Sequence, residues 1–436
     1  MPLRRIARST SRGRVRPGLL LLVLVLAGLL TILALNFTSA EQETEHRVAH
    51  SYAVADPQFR RVMGTLLGPP IAEGNRVQTL LNGDQIFPSM LEAIAGARET
   101  IDFETYIYWG GDVGRRFAEA LSERARAGVE VNILIDWVGS QKIEEQILDE
   151  LRNAGAHVHL YRPLRWYQLR RMNRRTHRKL LVVDGRVGFT GGVGIADEWS
   201  GHAQDPDHWR DTHFRAEGPV VAQIQAAFLD NWVKVSAEVP HDRRYFRDVP
   251  GAGQAPAQMF SSSARGGSDS MQLMYLLAIA AASRSIKLEA AYFVPDEVSI
   301  ATLVEARRRG VEIDIIVPGE LIDTPLVRHA SRATWGPLLA AGVRIHEYQP
   351  TMFHCKVMVV DSELVSVGST NFDPRSFRLN DEANLNVYDR EFAAEQERVF
   401  AQDLAQAREV TLQQWEDRPW RDRLQERVWG ALRSQL

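Results

Sequence analysis

The stretch that decides the fold occurs twice: residues 177–184 read HRKLLVVD, and residues 354–361 read HCKVMVVD. Each copy has a histidine, a lysine two positions later, four apolar residues and an aspartate. Such apolar runs are typical of strands buried on both faces. Because side chains two positions apart on a strand point to the same side, His177 should project with Lys179, and His354 with Lys356.

The other residues of each motif have the opposite parity. Arg178 and Cys355 should therefore point away from the histidines, with Cys355 serving as a small packing residue. Asp184 and Asp361 complete the motifs and count among the candidate catalytic residues. Their parity and their position at the strand ends nevertheless favour shaping the turn or pairing with basic neighbours.

The segments before the two motifs also match. In the first copy the spacing predicts a helix over 86–94, a strand over 100–108, a helix over 114–128 and a strand over 129–136. In the second copy the same order covers 273–282, 285–293, 299–310 and 311–317. Strands that alternate with helices predict parallel pairing. The sequence therefore predicts an α/β fold of two duplicated α/β sandwich domains, related by a pseudo-two-fold axis.

The first 40 residues predict a membrane anchor, so the fold class includes one N-terminal transmembrane helix. An uncharged run over 19–40 is long enough, as a helix, to cross a hydrocarbon layer of roughly 30 Å. An arginine-rich flank precedes it and predicts a cytoplasmic N-terminus, with the globular part on the other side. A cleaved secretory signal ending near residue 40 is the alternative. The flank consists of Arg4, Arg5, Arg8, Arg12, Arg14 and Arg16.

Length and composition bound the organisation further. A chain of 436 residues is too long for one ordinary core. The predicted parts are the anchor or signal (1–40), a membrane-proximal linker (41–75), a first domain (76–238), a Pro- and Gly-containing linker (239–258), a second domain (259–400) and an amphipathic tail (401–436). The net charge of −3 predicts no global attraction to nucleic acid, and the single cysteine excludes an intramolecular disulfide.

Two histidines and two lysines in one site suit a phosphodiester. The lysine ammoniums can neutralise the non-bridging oxygens. One imidazole can attack phosphorus, while the other protonates the departing alkoxide and later deprotonates the incoming alcohol. Histidine suits both roles because its ordinary pKa lies near 6.5. This chemistry needs no metal or other cofactor, and we expect none.

Both motifs resemble the paired HKD motifs of the phospholipase D superfamily. The second half is similar to bacterial cardiolipin synthases through the run 368–377, GSTNFDPRSF, and through positions 380–384. The stretches 209–213, 292–297 and 347–350 are also similar, so the resemblance covers about 79–410. It implies two phospholipase D-like domains and a reaction through a covalent phosphohistidine.

The resemblance also implies residue roles. His177 is similar to the family's nucleophile and His354 to its general acid, although the near-symmetry leaves their order open. The implied substrate-binding residues are Lys179, Lys356, Asn371, Ser369 and Gly192. Asp211 and Glu382 resemble the carboxylates that orient the two histidines. Glu104 and Glu289 occupy equivalent strand positions, where they either line the cleft or serve the structure.

One position departs from the family. Gly194 stands where the first motif is usually followed by asparagine, so we expect one side-chain phosphate ligand to be missing. A backbone N–H could replace it, or the first half could be less active.

The resemblance and the anchor together imply a cardiolipin synthase-like phosphatidyltransferase of a bacterial inner membrane. Its expected partners are phospholipids, phosphatidylglycerol among them, and the membrane, and not nucleic acid; the sequence leaves the oligomeric state open. The alternatives are a phospholipase D, a nuclease of the same superfamily, and a lipid-binding protein without activity.

Two further segments bear on the choice between lipid and nucleic acid. A basic and aromatic stretch over 161–175 suits lipid headgroups, nucleic-acid phosphates or plain solvent. The apolar residues of the tail alternate with arginines, as in an interfacial helix, or else pack on the domain. They are Trp415, Trp420, Leu424, Val428, Trp429 and Leu432.

Overall fold

The two motif segments form short buried strands, β5 (Leu180–Val183) and β12 (Lys356–Val360), in a computed structural model of the chain. Each strand is buried on both faces. In β5, Leu181 and Val183 face the core of the first half, whereas Leu180 and Val182 join a core shared by the halves. Residues of β12 divide in the same way between the second half's own core and the shared core. This double burial explains the uninterrupted apolar runs.

The structure describes residues 17–36, 48–164, 173–263 and 270–430. The arginines before residue 17, positions 165–172 of the basic stretch, and Leu432 lie outside these ranges. The chain divides into two compact units, Met1–Gln42 and Glu43–Leu436. In the first unit, helix α1 spans Pro17–Asn36, with side chains described at 18 and at 21–31. Over the described residues, no helix reaches the length and apolarity needed to cross a membrane.

The second unit begins with the elements of the first half. In chain order they are α2 (Pro57–Leu66), β1 (Ala72–Leu81), α3 (Asn82–Ala95), β2 (Thr100–Thr105), α4 (Asp112–Arg126), β3 (Glu130–Asp136), α5 (Glu145–Asn153), β4 (His157–Tyr161), β5, β6 (Val187–Gly191), a short 3-10 helix (Asp197–Trp199), β7 (Thr212–Glu217) and α6 (Val221–Ser236).

The second half follows the same plan. Its elements are β8 (Ala255–Ser262), α7 (Ser270–Ala281), β9 (Ser285–Ala290), α8 (Glu297–Arg308), β10 (Glu312–Pro318), α9 (Pro325–Ala333), α10 (Trp335–Ala340), β11 (Arg344–Tyr348), β12, β13 (Leu364–Gly368), α11 (Pro374–Arg378), β14 (Glu382–Val387), α12 (Arg390–Leu404), β15 (Ala407–Glu409), α13 (Leu412–Glu416) and α14 (Trp420–Gly430).

One large sheet runs through both halves. Its strand order in the described part of the chain is β15-β11-β10-β9-β12-β13-β14-β8-β1-β7-β6-β5-β2-β3-β4. The antiparallel β1–β8 pair lies at the centre. Outward from this pair, corresponding strands of the halves follow in the same order, as a duplication predicts.

The pairing is mixed rather than parallel throughout. Strands β2, β3 and β4 are parallel, as are β9, β10 and β11, which agrees with the alternation of strands and helices. The motif strands, whose direction the sequence leaves open, are antiparallel to their neighbours, β5 to β2 and β12 to β9. Each motif strand continues through a tight turn into β6 or β13, and such a hairpin can only be antiparallel.

A glycine occupies the same joint between helix and strand in both halves. Gly128 and Gly310 lie just after α4 and α8, with φ of 89° and 95°. Glycine adopts this left-handed conformation without the steric cost that a Cβ atom brings. The turn therefore directs β3 and β10 into the sheet as parallel neighbours of β2 and β9.

Candidate active site

The structure brings the four motif residues of the two halves together. His177 and Lys179 lie just before β5, His354 lies just before β12, and Lys356 is the first residue of β12. The histidines keep 8% and 7% of their surface exposed, and each lysine keeps 3%. Burial is the main cause that lowers each histidine pKa, and the lysine of the other half also contributes. One site is therefore built from both halves.

Backbone hydrogen bonds join the two halves at the site, and each histidine donates its backbone N–H to a carbonyl of the other half. The His177 N–H donates to the Asp381 carbonyl at 2.9 Å, and the Asp381 N–H donates to the Arg175 carbonyl at 2.8 Å. Correspondingly, the His354 N–H donates to the Arg210 carbonyl at 2.7 Å. Each histidine is thus fixed to the segment of the other half that carries Glu382 or Asp211.

Glu382 orients His177. Both Glu382 carboxylate oxygens lie 3.0 Å from His177 Nδ1. The Ser369 hydroxyl donates to Glu382 Oε2 at 2.5 Å, and the Asn380 amide donates to Oε1 at 3.3 Å. Ser369, predicted to contact substrate, therefore holds the carboxylate behind the histidine.

Asp211 orients His354 in the same manner but with different support. Its Oδ2 atom lies 2.7 Å from His354 Nδ1. The Trp199 indole donates to the same oxygen at 2.9 Å, and the Thr212 N–H donates to Oδ1 at 2.7 Å. The Trp199 indole thus donates to Asp211 as the Ser369 hydroxyl donates to Glu382.

The protonation state of the histidines follows from their surroundings. Burial lowers the pKa of His177 to about 4 and that of His354 to about 3, although the paired carboxylates oppose this shift. Burial also pushes the pKa of Glu382 and Asp211 upward, but their histidine partners outweigh it and hold both pKa values below the usual range. A carboxylate can only accept, so Nδ1 carries the proton and Nε2 presents its lone pair.

The lysines are held over the same cleft. Lys179 Nζ donates to the His177 carbonyl at 2.7 Å, and Lys356 Nζ donates to the His354 carbonyl at 2.6 Å. Burial lowers the pKa of Lys179 to about 7, and it also lowers the pKa of Lys356. An anion that enters the site would raise the pKa of both lysines again, because its negative charge favours the ammonium forms.

Asn371 and Gly192 lie beside these groups. Asn371 keeps 4% of its surface exposed, and its side-chain oxygen has no hydrogen-bond partner among the described residues. At Gly192, an added Cβ atom would lie 2.2 Å from an Asp211 carboxylate oxygen. Gly192 therefore makes room for the carboxylate that orients His354.

The motif aspartates do not enter the site, which corrects their grouping with the catalytic residues. Asp184 lies beyond the far end of β5, where its carboxylate accepts the backbone N–H groups of Arg98, Glu99 and Thr100. Asp361 does the same for residues 283–285. Both have positive φ, of 53° and 56°. They fasten the turn after each motif strand to the start of β2 or β9, as their parity indicated.

The departure at Gly194 has a packing explanation. An added Cβ atom would lie 2.8 Å from Ile107 and 3.2 Å from the ring of Trp199. Trp199 fills this space and uses its indole N–H on Asp211. The missing asparagine is therefore linked to the different support of the second histidine.

Aromatic side chains enclose the histidines, and the motifs do not reveal them. The Tyr106 ring meets His177 edge-on at 5.2 Å between centroids. Trp199 and Trp209 contact His354 at 5.3 and 5.6 Å. Trp209 stands within a stretch that the resemblance had singled out, whereas no spacing rule marks Tyr106 or Trp199.

Two predictions about neighbouring residues are settled by the packing. Arg178 points away from the site and donates to the Ala227 and Ser262 carbonyls. Cys355 is fully buried and packs with Ile316 and Phe353, while its Sγ lies 3.5 Å from the Thr212 hydroxyl oxygen. Both behave as their parity predicts.

The acidic pair on β2 and β9, Glu104 and Glu289, is buried. Glu104 accepts from Thr176 at 2.5 Å and from Asn231 at 2.8 Å, and burial raises its pKa to about 7. Burial and Asp403 raise the pKa of Glu289 well above its usual range. Both carboxyl groups are fully enclosed.

Two described members of the basic stretch are buried and support the fold instead of facing a ligand. Tyr161 and Arg175 are 1% and 2% exposed. The Tyr161 hydroxyl donates to Asp381, and Arg175 forms an ion pair with Asp136 at 2.9 Å. These two residues hold the loop before the first motif against the second half.

Potential metal ligands gather at one place in the described ranges. Glu289, Cys355 and Asp403 lie close together behind β12. Arg210 donates to both Asp403 oxygens, at 2.9 and 2.7 Å. Because a guanidinium already supplies the positive charge, this cluster suits an internal ion pair and not a metal ion.

Comparison with known proteins agrees with this geometry. The family described as "Cardiolipin synthase, PLD-like domain" matches residues 90–208 and 275–404. A cardiolipin synthase of Staphylococcus aureus is 34% identical over 77% of this chain and 69% of its own length. Cardiolipin synthase A of Pseudomonas putida is 34% identical over 86% of this chain and 77% of its own length.

A solved structure shares the fold. The phosphatidylserine synthase of Haemophilus influenzae Rd KW20 superposes with a TM-score of 0.68, covering 87% of this chain and all of its own at 12% identity. The residues matched by the family description contain both motifs and Glu382, and the first matched range ends at residue 208, shortly before Asp211. The chain therefore belongs to the cardiolipin synthase family of phospholipase D-like phosphatidyltransferases.

Proposed function

We propose that this chain joins two phospholipids into cardiolipin by transferring a phosphatidyl group through a phosphohistidine. The observation that carries the proposal is the pair of neutral, carboxylate-backed histidines, one from each half, beside two buried lysines. Phosphatidylglycerol is the substrate that the named relatives suggest.

The first step loads one histidine. Two lysines bind the non-bridging oxygens of the donor phosphate, together with Asn371. The Nε2 lone pair of His177 attacks phosphorus, and the bond from phosphorus to the headgroup oxygen breaks. His354 takes up a proton from solvent at Nε2 when the anionic donor phosphate binds beside it, and it gives this proton to the departing alkoxide, which leaves as a neutral alcohol.

The second step releases the product. His354 takes the proton of an incoming phosphatidylglycerol hydroxyl, and that oxygen attacks phosphorus. The P–N bond to His177 breaks and its electron pair returns to the imidazole. When the donor is also phosphatidylglycerol, two substrate molecules give one cardiolipin and one glycerol. Transfer from histidine to water would give phosphatidic acid, the product of a phospholipase D.

Product analysis with purified protein in mixed phosphatidylglycerol and phosphatidylethanolamine micelles tests the proposal. We expect cardiolipin from the wild type and none from His177→Ala or His354→Ala. Phosphatidic acid as the main product would make the protein a hydrolase. Absence of lipid turnover, with cleavage of an oligonucleotide, would make it a nuclease.

The roles of the two histidines can be separated in the same preparation. Rapid quench with phosphorus-labelled donor should trap label on histidine in the wild type. If His177 is the nucleophile, His177→Gln traps none, whereas His354→Gln retains a slowly formed adduct with a donor that has an acidic leaving group, such as a nitrophenyl ester. The opposite pattern would exchange the two assignments.

We also propose that the apolar run over 19–40 anchors the protein in a bacterial inner membrane, with unit Glu43–Leu436 on the non-cytoplasmic side. The arginine flank supports this orientation. Protease added to spheroplasts should digest the large unit, and digestion only after lysis would place it in the cytoplasm. N-terminal sequencing of the membrane form distinguishes an anchor from a cleaved signal.

A further inference from the structure

Helix α14 is held to the domain by one face. Glu426 is 1% exposed and accepts from Arg332 at 3.3 Å and from Arg418 at 2.6 Å. Trp429 packs against a cluster that contains Val294 and Val327. This face fixes how the helix is turned, so its opposite face must point outward.

The outward face is apolar. Trp420, Leu424 and Val428 are 68%, 54% and 52% exposed. They are spaced four residues apart, so they form one stripe that turns by about 40° per step. On a helical wheel the middle residue of the stripe, Leu424, lies roughly opposite Glu426 and Trp429. A helix that only packs on its own domain would carry polar residues here.

The stripe is bordered by positive charge. Arg421 lies on one side of it on the wheel, and Arg423 and Arg427 lie on the other, all three exposed. The negative charge of Glu426 on the same helix is buried in its pairs with two arginines. The solvent side of α14 therefore combines an apolar centre with a cationic border, which is the pattern of a helix that lies in the interface of an anionic membrane.

The helix also lies beside the catalytic cleft. Tyr292, two residues beyond the end of β9, packs in the same cluster as Trp429. The last residue of β9, Ala290, pairs with Lys356 of the active site. A surface that touched α14 would therefore lie near the cleft that must receive lipid.

We propose that the stripe formed by Trp420, Leu424 and Val428 docks α14 on an anionic lipid surface, with the three arginines contacting headgroup phosphates. This docking does not depend on which reaction the two histidines catalyse. It supplies a contact that brings the cleft to the membrane surface independently of any N-terminal anchor.

A site-specific fluorophore in the full chain tests the docking. Cys355 is fully buried, so a thiol-reactive environment-sensitive dye labels an introduced cysteine selectively. Leu424→Cys places the dye in the stripe, and Glu391→Cys places it at an exposed position of α12 as a matched control. Both proteins are reconstituted into vesicles of phosphatidylcholine with or without phosphatidylglycerol, and lipids that carry a quencher on the acyl chain are added.

We expect the dye at 424 to shift to shorter wavelength and to lose at least about half its emission to the quencher in anionic vesicles, because interfacial helices sit some 5–10 Å into the headgroup boundary. The dye at 391 should remain in a water-like environment. Equal, water-like emission at both positions would overturn the proposal. Equal quenching in pure phosphatidylcholine would remove the role given to the arginines. A shift without vesicles that grows with protein concentration would show that a second copy covers the stripe instead.

Discussion

His177 Nδ1 lies 3.0 Å from both carboxylate oxygens of Glu382, a residue 205 positions further along the chain. The reciprocal contact joins His354 to Asp211 at 2.7 Å. Each half supplies a histidine and the carboxylate that orients the other half's histidine. Neither half alone contains a complete pair, so catalysis requires the docked halves.

Replacing Glu382 by glutamine should reduce kcat/KM by on the order of 10²- to 10⁴-fold, since the amide leaves the imidazole without the charge that fixes its tautomer. Ser369→Ala removes one hydrogen bond to that carboxylate and should cost about tenfold at most. Steady-state kinetics in mixed micelles measures both.

Glu397→Gln is the matched control, because Glu397 pairs with Lys287 away from the site. It should leave kcat/KM within about twofold of the wild type, as an isolated surface ion pair contributes little. A Glu382→Gln variant as active as this control would contradict the orienting role.

Anion affinity should fall as the pH rises above about 7. The empty site holds Lys179 with a pKa of about 7 because of its burial. The anion binds to the form of the site in which Lys179 is protonated. The affinity for the anion is therefore highest below this pH, and it decreases by up to about tenfold per pH unit above it. Titration calorimetry with sulfate, whose own charge is constant in this range, measures the effect.

Lys179→Arg provides the comparison for that experiment. A guanidinium stays protonated throughout, so sulfate affinity should change less between about pH 7 and about pH 9. The same pH slope in both proteins would mean that another group titrates.

Acid should destabilise the fold through the two histidines. Their pKa values in the folded state, about 4 for His177 and about 3 for His354, lie below the ordinary value near 6.5. Their contribution is fully present above about pH 6.5 and is lost as the pH falls toward 4, since the unfolded chain binds protons first. Each histidine should lower the free energy of unfolding by on the order of 2 kcal/mol between about pH 7 and about pH 5.

Urea unfolding at several pH values measures this loss. The double variant His177→Gln/His354→Gln should show a flatter dependence between about pH 6.5 and about pH 5, because glutamine does not titrate. An unchanged slope would assign the acid sensitivity to other groups.

Asp184→Ala should weaken the fold and leave the chemistry largely intact. The carboxylate accepts three successive backbone N–H groups, which alanine would leave without partners. The expected loss of unfolding free energy is about 2–4 kcal/mol, whereas kcat per folded molecule should change by less than about threefold. A large fall in kcat at full folded content would return Asp184 to the catalytic residues.

The sequence predicts the two motif strands because their signal is local. Side-chain parity alone separates Lys179 from Arg178, and the apolar runs that follow require burial on both faces. The carboxylates Asp211 and Glu382 came from resemblance, since contacts across about 140 to 205 positions have no local periodicity. The sequence leaves the direction of β5 and β12 open, because alternation of strands with helices says nothing about hairpins.

Trp199 is the residue that sequence reasoning could not place. It comes from a short 3-10 helix, yet its ring fills the space beside Gly194 and its indole N–H reaches Asp211. Its role depends on three segments that meet only in the folded protein.

Restoring the family's asparagine by Gly194→Asn should therefore reduce stability and not raise activity. The new Cβ atom would lie 2.8 Å from Ile107, closer than side-chain atoms normally approach. Thermal unfolding should show a loss of about 1–3 kcal/mol, as for other overpacked sites. Trp199→Phe tests the other half of the relationship, since it keeps a ring beside His354 but removes the donor to Asp211. Its kcat should fall by about tenfold while stability changes little. A Gly194→Asn variant that is as stable as the wild type and more active would contradict this explanation. It would show that Trp199 does not replace the asparagine and that the first half has room for a side-chain phosphate ligand.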